Sequence, residues 1–305
     1  MKQSVTFKNR EIDVAADLYL PADFNENQQY AAIITVHPGS SCKEQTAGIY
    51  ADKLAKKGFV TLAVNASYQG ESGGEPRHIE DSATRVEDIR SAIDYLVTLP
   101  SVDENRIGAV GICAGGGYAV NAAMTERRIK AVGTAVGANI GRVYREGGQE
   151  GILATLEMIG KQRTAEARGA EPLIIPWVTE ESKEAADIDL REAYDYYRTP
   201  RGQHLCSPNK LRFTSMASVI AFDAFYLADM LLTQPLQIIV GSLQGAFGSN
   251  KDGHYLYEKA ASAEKDLLIM EGASHYDLYD NPKYVDPAVE KFTEFFRKNL
   301  SSLSQ

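Results

Sequence analysis

A chain that carries Gly111-Ile-Cys-Ala-Gly115 at the end of the apolar run Arg106-Ile-Gly-Ala-Val-Gly111, and just before a helix of small residues, has few folds open to it. Glycine two residues to either side of Cys113 lets a strand and a helix approach across a very sharp turn. The residue at the tip of that turn is held in unfavourable backbone angles. Such a turn needs a strand in front and a helix behind, hence a sheet with helices packed on it. The helix N-terminus also supplies N–H groups and a positive dipole end, which lower a thiol's pKa and can hold an oxyanion. Cys113 therefore reads as an activated nucleophile, held as thiolate, rather than as the inert buried thiol that free cysteine often is.

The flanking sequence extends the same pattern. Val5–Phe7 and Ile12–Leu20 read as an opening hairpin stopped by Pro21. Ala31–Val36, Phe59–Val64, 106–111 and Lys130–Val136 are buried strands, and Leu236–Val240 and Leu267–Met270 are the last two. Between them, helices are expected from Lys43 to Lys57 (closed by Gly58), after a capping box Thr84-x-x-Glu87, from Ala114 to Met124, and near Tyr255–Ser262. Asp286-Pro287 is expected to open a C-terminal helix facing the core with Val289, Phe292, Phe296 and Leu300. This alternation is the mostly parallel, doubly wound α/β pattern.

From about Gly141 to Gln234 the alternation stops. Ile152, Leu153, Leu156 and Ile159 mark one helical face, Ser182–Tyr197 a second helix, and Ala217–Leu232 a third. A mostly helical, aromatic insert of this length reads as a lid over the sheet. The expected division is thus a core of 1–140 and 235–305 with a lid of 141–234.

Composition excludes some classes of function. A net charge of −9 without a basic run argues against nucleic-acid or anionic-membrane surfaces. The polar N-terminus lacks the apolar core of a signal peptide, and no stretch has the ~20 apolar residues of a membrane span. Cys42, Cys113 and Cys206 have no metal-ligand spacing, and sparse free thiols fit a reducing compartment, so a soluble cytoplasmic protein without metal or organic cofactor is expected. A small-molecule acyl substrate is the expected partner, with room for a homodimer.

A thiol nucleophile needs a base, and there are five histidines. His275 follows the last strand in Glu271-Gly-Ala-Ser-His-Tyr-Asp, at the sheet edge where Cys113 also lies. The oxyanion donors expected are the N–H of Ala114 and one from Gly39 or Ser40 in the loop His37-Pro-Gly-Ser. His37 is expected to brace that loop, while Lys43 and Glu44 either reach the site or form a solvated helix start. No carboxylate follows Leu236–Val240 before Asp252, and Asp277 is the alternative acid. Tyr68, Gln69 and Tyr118 are candidates to border the substrate.

Taken together, His37-Pro-Gly-Ser, Asn65-Ala-Ser-Tyr-Gln-Gly-Glu-Ser-Gly-Gly, Gly111-Ile-Cys-Ala-Gly-Gly-Gly-Tyr and Gly272-Ala-Ser-His-Tyr-Asp-Leu-Tyr resemble the α/β-hydrolase superfamily. The resemblance is greatest to the cysteine-bearing dienelactone-hydrolase-like group and its relatives near the X-prolyl dipeptidyl peptidases. It implies Cys113 as nucleophile, His275 as base and Ala114 as oxyanion donor, with Gly245 at about the place of the family's catalytic aspartate. The implied chemistry is hydrolysis of an ester, thioester or lactone through a Cys-His(-Asp) acyl-enzyme, with peptidase activity ranked low. Acyl transfer by the same residues, and a hydrolase-shaped binding or regulatory protein, are the alternatives.

Overall fold

A computed structural model of the chain describes residues 1–301. The N-terminal hairpin pairs β1 (Lys2–Asn9) with β2 (Ile12–Tyr19), and the chain then alternates: β3 (Tyr30–Val36), α1 (Thr46–Ala55), β4 (Val60–Val64), α2 (Ser82–Leu96), β5 (Val102–Ile112), α3 (Ala114–Thr125) and β6 (Ile129–Ala135). An insert follows, with α4 (Ile140–Arg145), α5 (Gly148–Ala167), β7 (Ile174–Ile175), α6 (Ile188–Arg198), β8 (Leu211–Arg212), α7 (Met216–Ala221) and α8 (Ala228–Leu231). The core resumes with β9 (Leu236–Gly241), α9 (Ser249–Lys259), β10 (Lys265–Met270), α10 (Asp277–Asp280) and α11 (Pro282–Asn299).

Eight strands form one sheet in the order β1-β2-β4-β3-β5-β6-β9-β10. The hairpin and its edge on β4 are antiparallel, and every other pairing is parallel. This is the expected fold class. Both faces are covered, which is why β4 is buried throughout, with Thr61, its one polar residue, donating to the Ala51 carbonyl. Helices α2 and α3 pack on one face through Ile89, Ile93, Leu96, Ala119 and Val120, and α1 and α11 on the other through Tyr50, Leu54, Phe292 and Phe296.

Several helix boundaries differ from the sequence expectation for local reasons. Asp81, not Thr84, caps α2: its carboxylate accepts the Thr84 N–H at 2.9 Å. The C-terminal helix starts four residues before Asp286, where Asn281 caps it and Pro282 stands in the first turn. Helix α9 runs over Ser249–Lys259, earlier than the expected Tyr255–Ser262. The single helix expected over Ala217–Leu232 is split, because Arg145 takes the carbonyls of Ile220 and Phe222 at 2.5 and 2.7 Å and ends α7. Along α5 only Ile159 is buried, so the apolar face expected there mostly meets solvent. Within the insert β7 and β8 form a short antiparallel pair that the sequence did not suggest. Among the described residues, no helix is long and apolar enough to cross a membrane.

Candidate active site

The carboxyl end of β5 runs straight into α3, and Cys113 stands between them with φ 54° and ψ −126°. A non-glycine residue in that region costs on the order of 1–3 kcal/mol, so the surroundings must impose it. They do so by crowding: a Cβ on Gly111 would strike the backbone of Gly115, and one on Gly115 would strike the Val36 carbonyl. The sharp turn is built as the spacing of its glycines requires.

Cys113 opens onto an apolar cleft of about 130 Å³. Gly39, Ser40 and Ala114 line it on the core side, and Trp177, Val178 and Tyr197 line it from the insert. The candidate oxyanion donors are thus gathered around the thiol. Ser40 sits at φ 60°, and its carbonyl accepts from the Ser207 hydroxyl, so the insert holds the loop from behind. The Ala114 N–H lowers the Cys113 thiol's pKa, by less than burial raises it. His37 is buried beneath the same loop, its Nε2 accepting from Ala66 N–H at 3.0 Å and its Nδ1 2.6 Å from the Pro38 carbonyl, and burial beside Arg85 keeps it neutral.

His275 lies at the same sheet edge, also buried. Its Nδ1 is 2.9 Å from the Ser249 hydroxyl and its Nε2 3.3 Å from the Tyr279 hydroxyl. Tyr279 also lines the cleft beside Cys113, where its hydroxyl works against burial to lower the thiol's pKa. One phenol therefore stands beside both nucleophile and base. Burial pushes the Cys113 thiol up to about 11 and His275 down to about 3. Both are neutral at rest near pH 7, and the expected resting thiolate is corrected. Desolvation outweighs the helix dipole and the Ala114 N–H.

Neither acid candidate reaches the imidazole. Asp252 is held by Arg142 at 2.5 and 2.9 Å and by Asn139 N–H at 2.8 Å. Asp277 caps its own turn, accepting from Ser274 N–H at 3.0 Å and from the Asn281 side chain at 2.8 Å. Sequence reasoning missed Asp189, which arrives from the first turn of α6 in the insert. It is 1% exposed; one oxygen accepts from Phe247 N–H at 2.9 Å and the other has no partner. A Cβ built on Gly245 would lie 2.6 Å from both of its oxygens. The Asp189 carboxylate fills the volume that an aspartate side chain at position 245 would claim. Burial lifts it to about 6 against the Phe247 N–H, and the Phe247 ring packs 5.3 Å from His275.

The residues proposed to border the substrate lie elsewhere. Tyr118 points down into the core, donating to Glu80 at 2.7 Å beneath the Arg85 guanidinium. Gln69 is tied to Ile79 and Glu80, and the Tyr68 ring covers Gly74. Lys43 and Glu44 form a largely buried ion pair with Asp17 and Glu71 nearby, away from the cleft. The cleft walls come instead from Trp177, Tyr197, Phe247, Tyr276 and Tyr279. The aromatic cluster 194–197 and the tyrosine four residues after His275 were the only sequence signals for them.

Residues 17–150 match the model of the dienelactone hydrolase family. The chain is 45% identical to the uncharacterized protein YcjY of Escherichia coli K12, over 98% of this chain and 100% of that one. The crystal structure of the hypothetical protein PA2218 from Pseudomonas aeruginosa superposes with a TM-score of 0.89 at 35% identity, covering 98% of this chain and 94% of that one. A more distant relative, the acyltransferase drtE of Aspergillus calidoustus, is 24% identical over 96% of each chain.

Proposed function

The chain belongs to the dienelactone hydrolase family of α/β hydrolases, and on that premise we propose that it cleaves activated acyl compounds (esters, thioesters or lactones) through an acyl-enzyme on Cys113. The observation that carries this is the thiol at the tip of a strained turn, at the mouth of an apolar cleft, with a neutral imidazole one phenol away. The insert over 141–234 acts as a lid on the core of 1–140 and 235–305, supported by the cleft walls it supplies.

In this reading the thiol attacks the acyl carbonyl while its proton passes to His275 Nε2, directly or through the Tyr279 hydroxyl. The developing oxyanion is held by Ala114 N–H and an N–H of Gly39 or Ser40. The imidazolium returns its proton to the leaving group as the carbon–heteroatom bond breaks. Water, deprotonated by the same nitrogen, then attacks the thioester and frees Cys113. Ser249 meets His275 Nδ1, and the buried carboxylate of Asp189, held by the N–H of the Phe247 whose ring packs on the imidazole, is the acid assigned to offset the transient imidazolium. No charged side chain lines the cleft, which favours an apolar acyl group.

Transfer to an alcohol or amine acceptor is the second reading. It is supported by the apolar, insert-covered cleft and by the name of the fungal relative. A panel of p-nitrophenyl esters, acyl thioesters and lactones, assayed with and without added acceptor, tests both. Turnover of at least one class is expected, and partition toward acceptor product would select transfer. Absence of turnover across the whole panel would refute acyl chemistry here.

A further inference from the structure

A second cysteine–histidine pair lies behind the oxyanion loop, and its surroundings differ from those of the cleft. Cys42, on the loop after β3, is fully buried, and its sulfur is 3.6 Å from His204 Nδ1, on the insert segment after α6. Glu44 completes a trio whose ligand atoms all lie within 4.8 Å of one another. The two Glu44 oxygens are not equivalent. Oε1 is 2.5 Å from Lys43 Nζ, while Oε2 is buried and has no hydrogen-bond partner. The Cys206 amide donates to His204 Nδ1 at 3.1 Å, so this nitrogen is unprotonated, and its one lone pair would pass from that N–H to a bound ion.

We propose that Cys42, His204 and Glu44 form a binding site for a soft divalent cation of the zinc class, bridging the oxyanion loop and the insert. One thiolate, one imidazole and one carboxylate are a zinc donor set. The spacing fits as well: bonds of about 2.3 Å to sulfur and about 2.0 Å to nitrogen at the tetrahedral angle put the two atoms roughly 3.5 Å apart. Binding takes the Cys42 proton, released to solvent as the sulfur–metal bond forms. The Cys42 thiolate and the Glu44 carboxylate then balance the double charge, and Asp17 and Glu71 already neutralise Lys43. Cys206, two residues from His204, lies with Glu44 and Glu71 in an adjoining group toward solvent, giving an entry path and a candidate fourth ligand.

The consequence is mechanical. Gln45 donates to the Gly202 carbonyl at 2.6 Å and Ser207 to the Ser40 carbonyl, so the segment carrying His204 already grips the loop that carries Gly39 and Ser40. A metal here would fasten the insert to the oxyanion loop without touching the cleft. The spacing of the cysteines along the chain gave no hint of it, because the donors come from two segments 160 residues apart in sequence order.

Cobalt(II) added to the intact, chelator-stripped protein tests the site independently of any acyl chemistry. About one equivalent should bind with a thiolate-to-cobalt charge-transfer band and intense visible bands of a tetrahedral ion, zinc should displace it, and Cys113→Ala should leave the spectrum unchanged. Cys42→Ser should remove the charge-transfer band, and His204→Ala should weaken binding at least about tenfold, with circular dichroism confirming that each variant is folded. The inference fails if the wild-type protein shows no such band, or if the band follows Cys113 instead of Cys42.

Discussion

The chain holds two cysteine–histidine pairs, and their residues alone do not distinguish them. At Cys113 the backbone is strained, the Tyr279 phenol stands beside thiol and imidazole alike, and apolar walls lead to solvent. At Cys42 the thiol faces the imidazole directly, a carboxylate oxygen lies unpaired beside them, and four charged side chains crowd the same corner. Neutral, aromatic surroundings suit a group that becomes charged only during reaction. Fixed charges and a free donor oxygen suit a bound cation. What separates a nucleophile from a ligand here is the second layer of side chains rather than the thiol and ring themselves.

Four measurements sharpen that contrast. Asp189→Asn should lower kcat/KM for an activated ester by roughly 10²-fold, the lower end of general acid–base effects. Asp252→Asn should chiefly lower the melting temperature, since it breaks a buried pair with Arg142. Equal effects of the two on kcat would remove the assignment of Asp189. Tyr279→Phe should cost about tenfold, the worth of one bridging hydrogen bond in the transition state. Alkylation by iodoacetamide compares the three thiols directly. With its pKa raised to about 11, Cys113 should react slowly at pH 7, and the rate should climb about tenfold per pH unit toward pH 10. Cys206, half-buried with its pKa raised less, should react faster near neutrality, and Cys42 slowest of the three. A fast, pH-independent Cys113 would restore the resting thiolate.

The parts of this account that were legible in the sequence are the locally encoded ones. Continuous apolar runs marked the parallel strands because a strand covered on both faces has no reason to alternate. The turn at Cys113 was legible because its glycines are obligatory, and His275 because it follows a strand at the same edge. The proposed acid was not legible. Asp189 falls inside the helix expected over Ser182–Tyr197, where nothing in the pattern marks it out, whereas α6 starts only at Ile188 with Asp187 as its cap. Only the crowding over Gly245 shows that the insert returns a carboxylate to the place the core leaves empty. Tyr118 failed as a cleft residue for a related reason. A position five residues past the nucleophile turns to the buried side of α3, where Glu80 and Arg85 wait for its hydroxyl.

The central claim is that Cys113 carries the acyl group, and direct observation of that intermediate is the sharpest test. Wild-type protein mixed with a slowly turned-over aryl ester or thioester and quenched in acid should gain the acyl mass, and peptide mapping should place it on Cys113. Cys42→Ala should behave the same, while Cys113→Ala should gain nothing. An acyl group on any other residue, or steady turnover by the Cys113→Ala protein, would contradict the account.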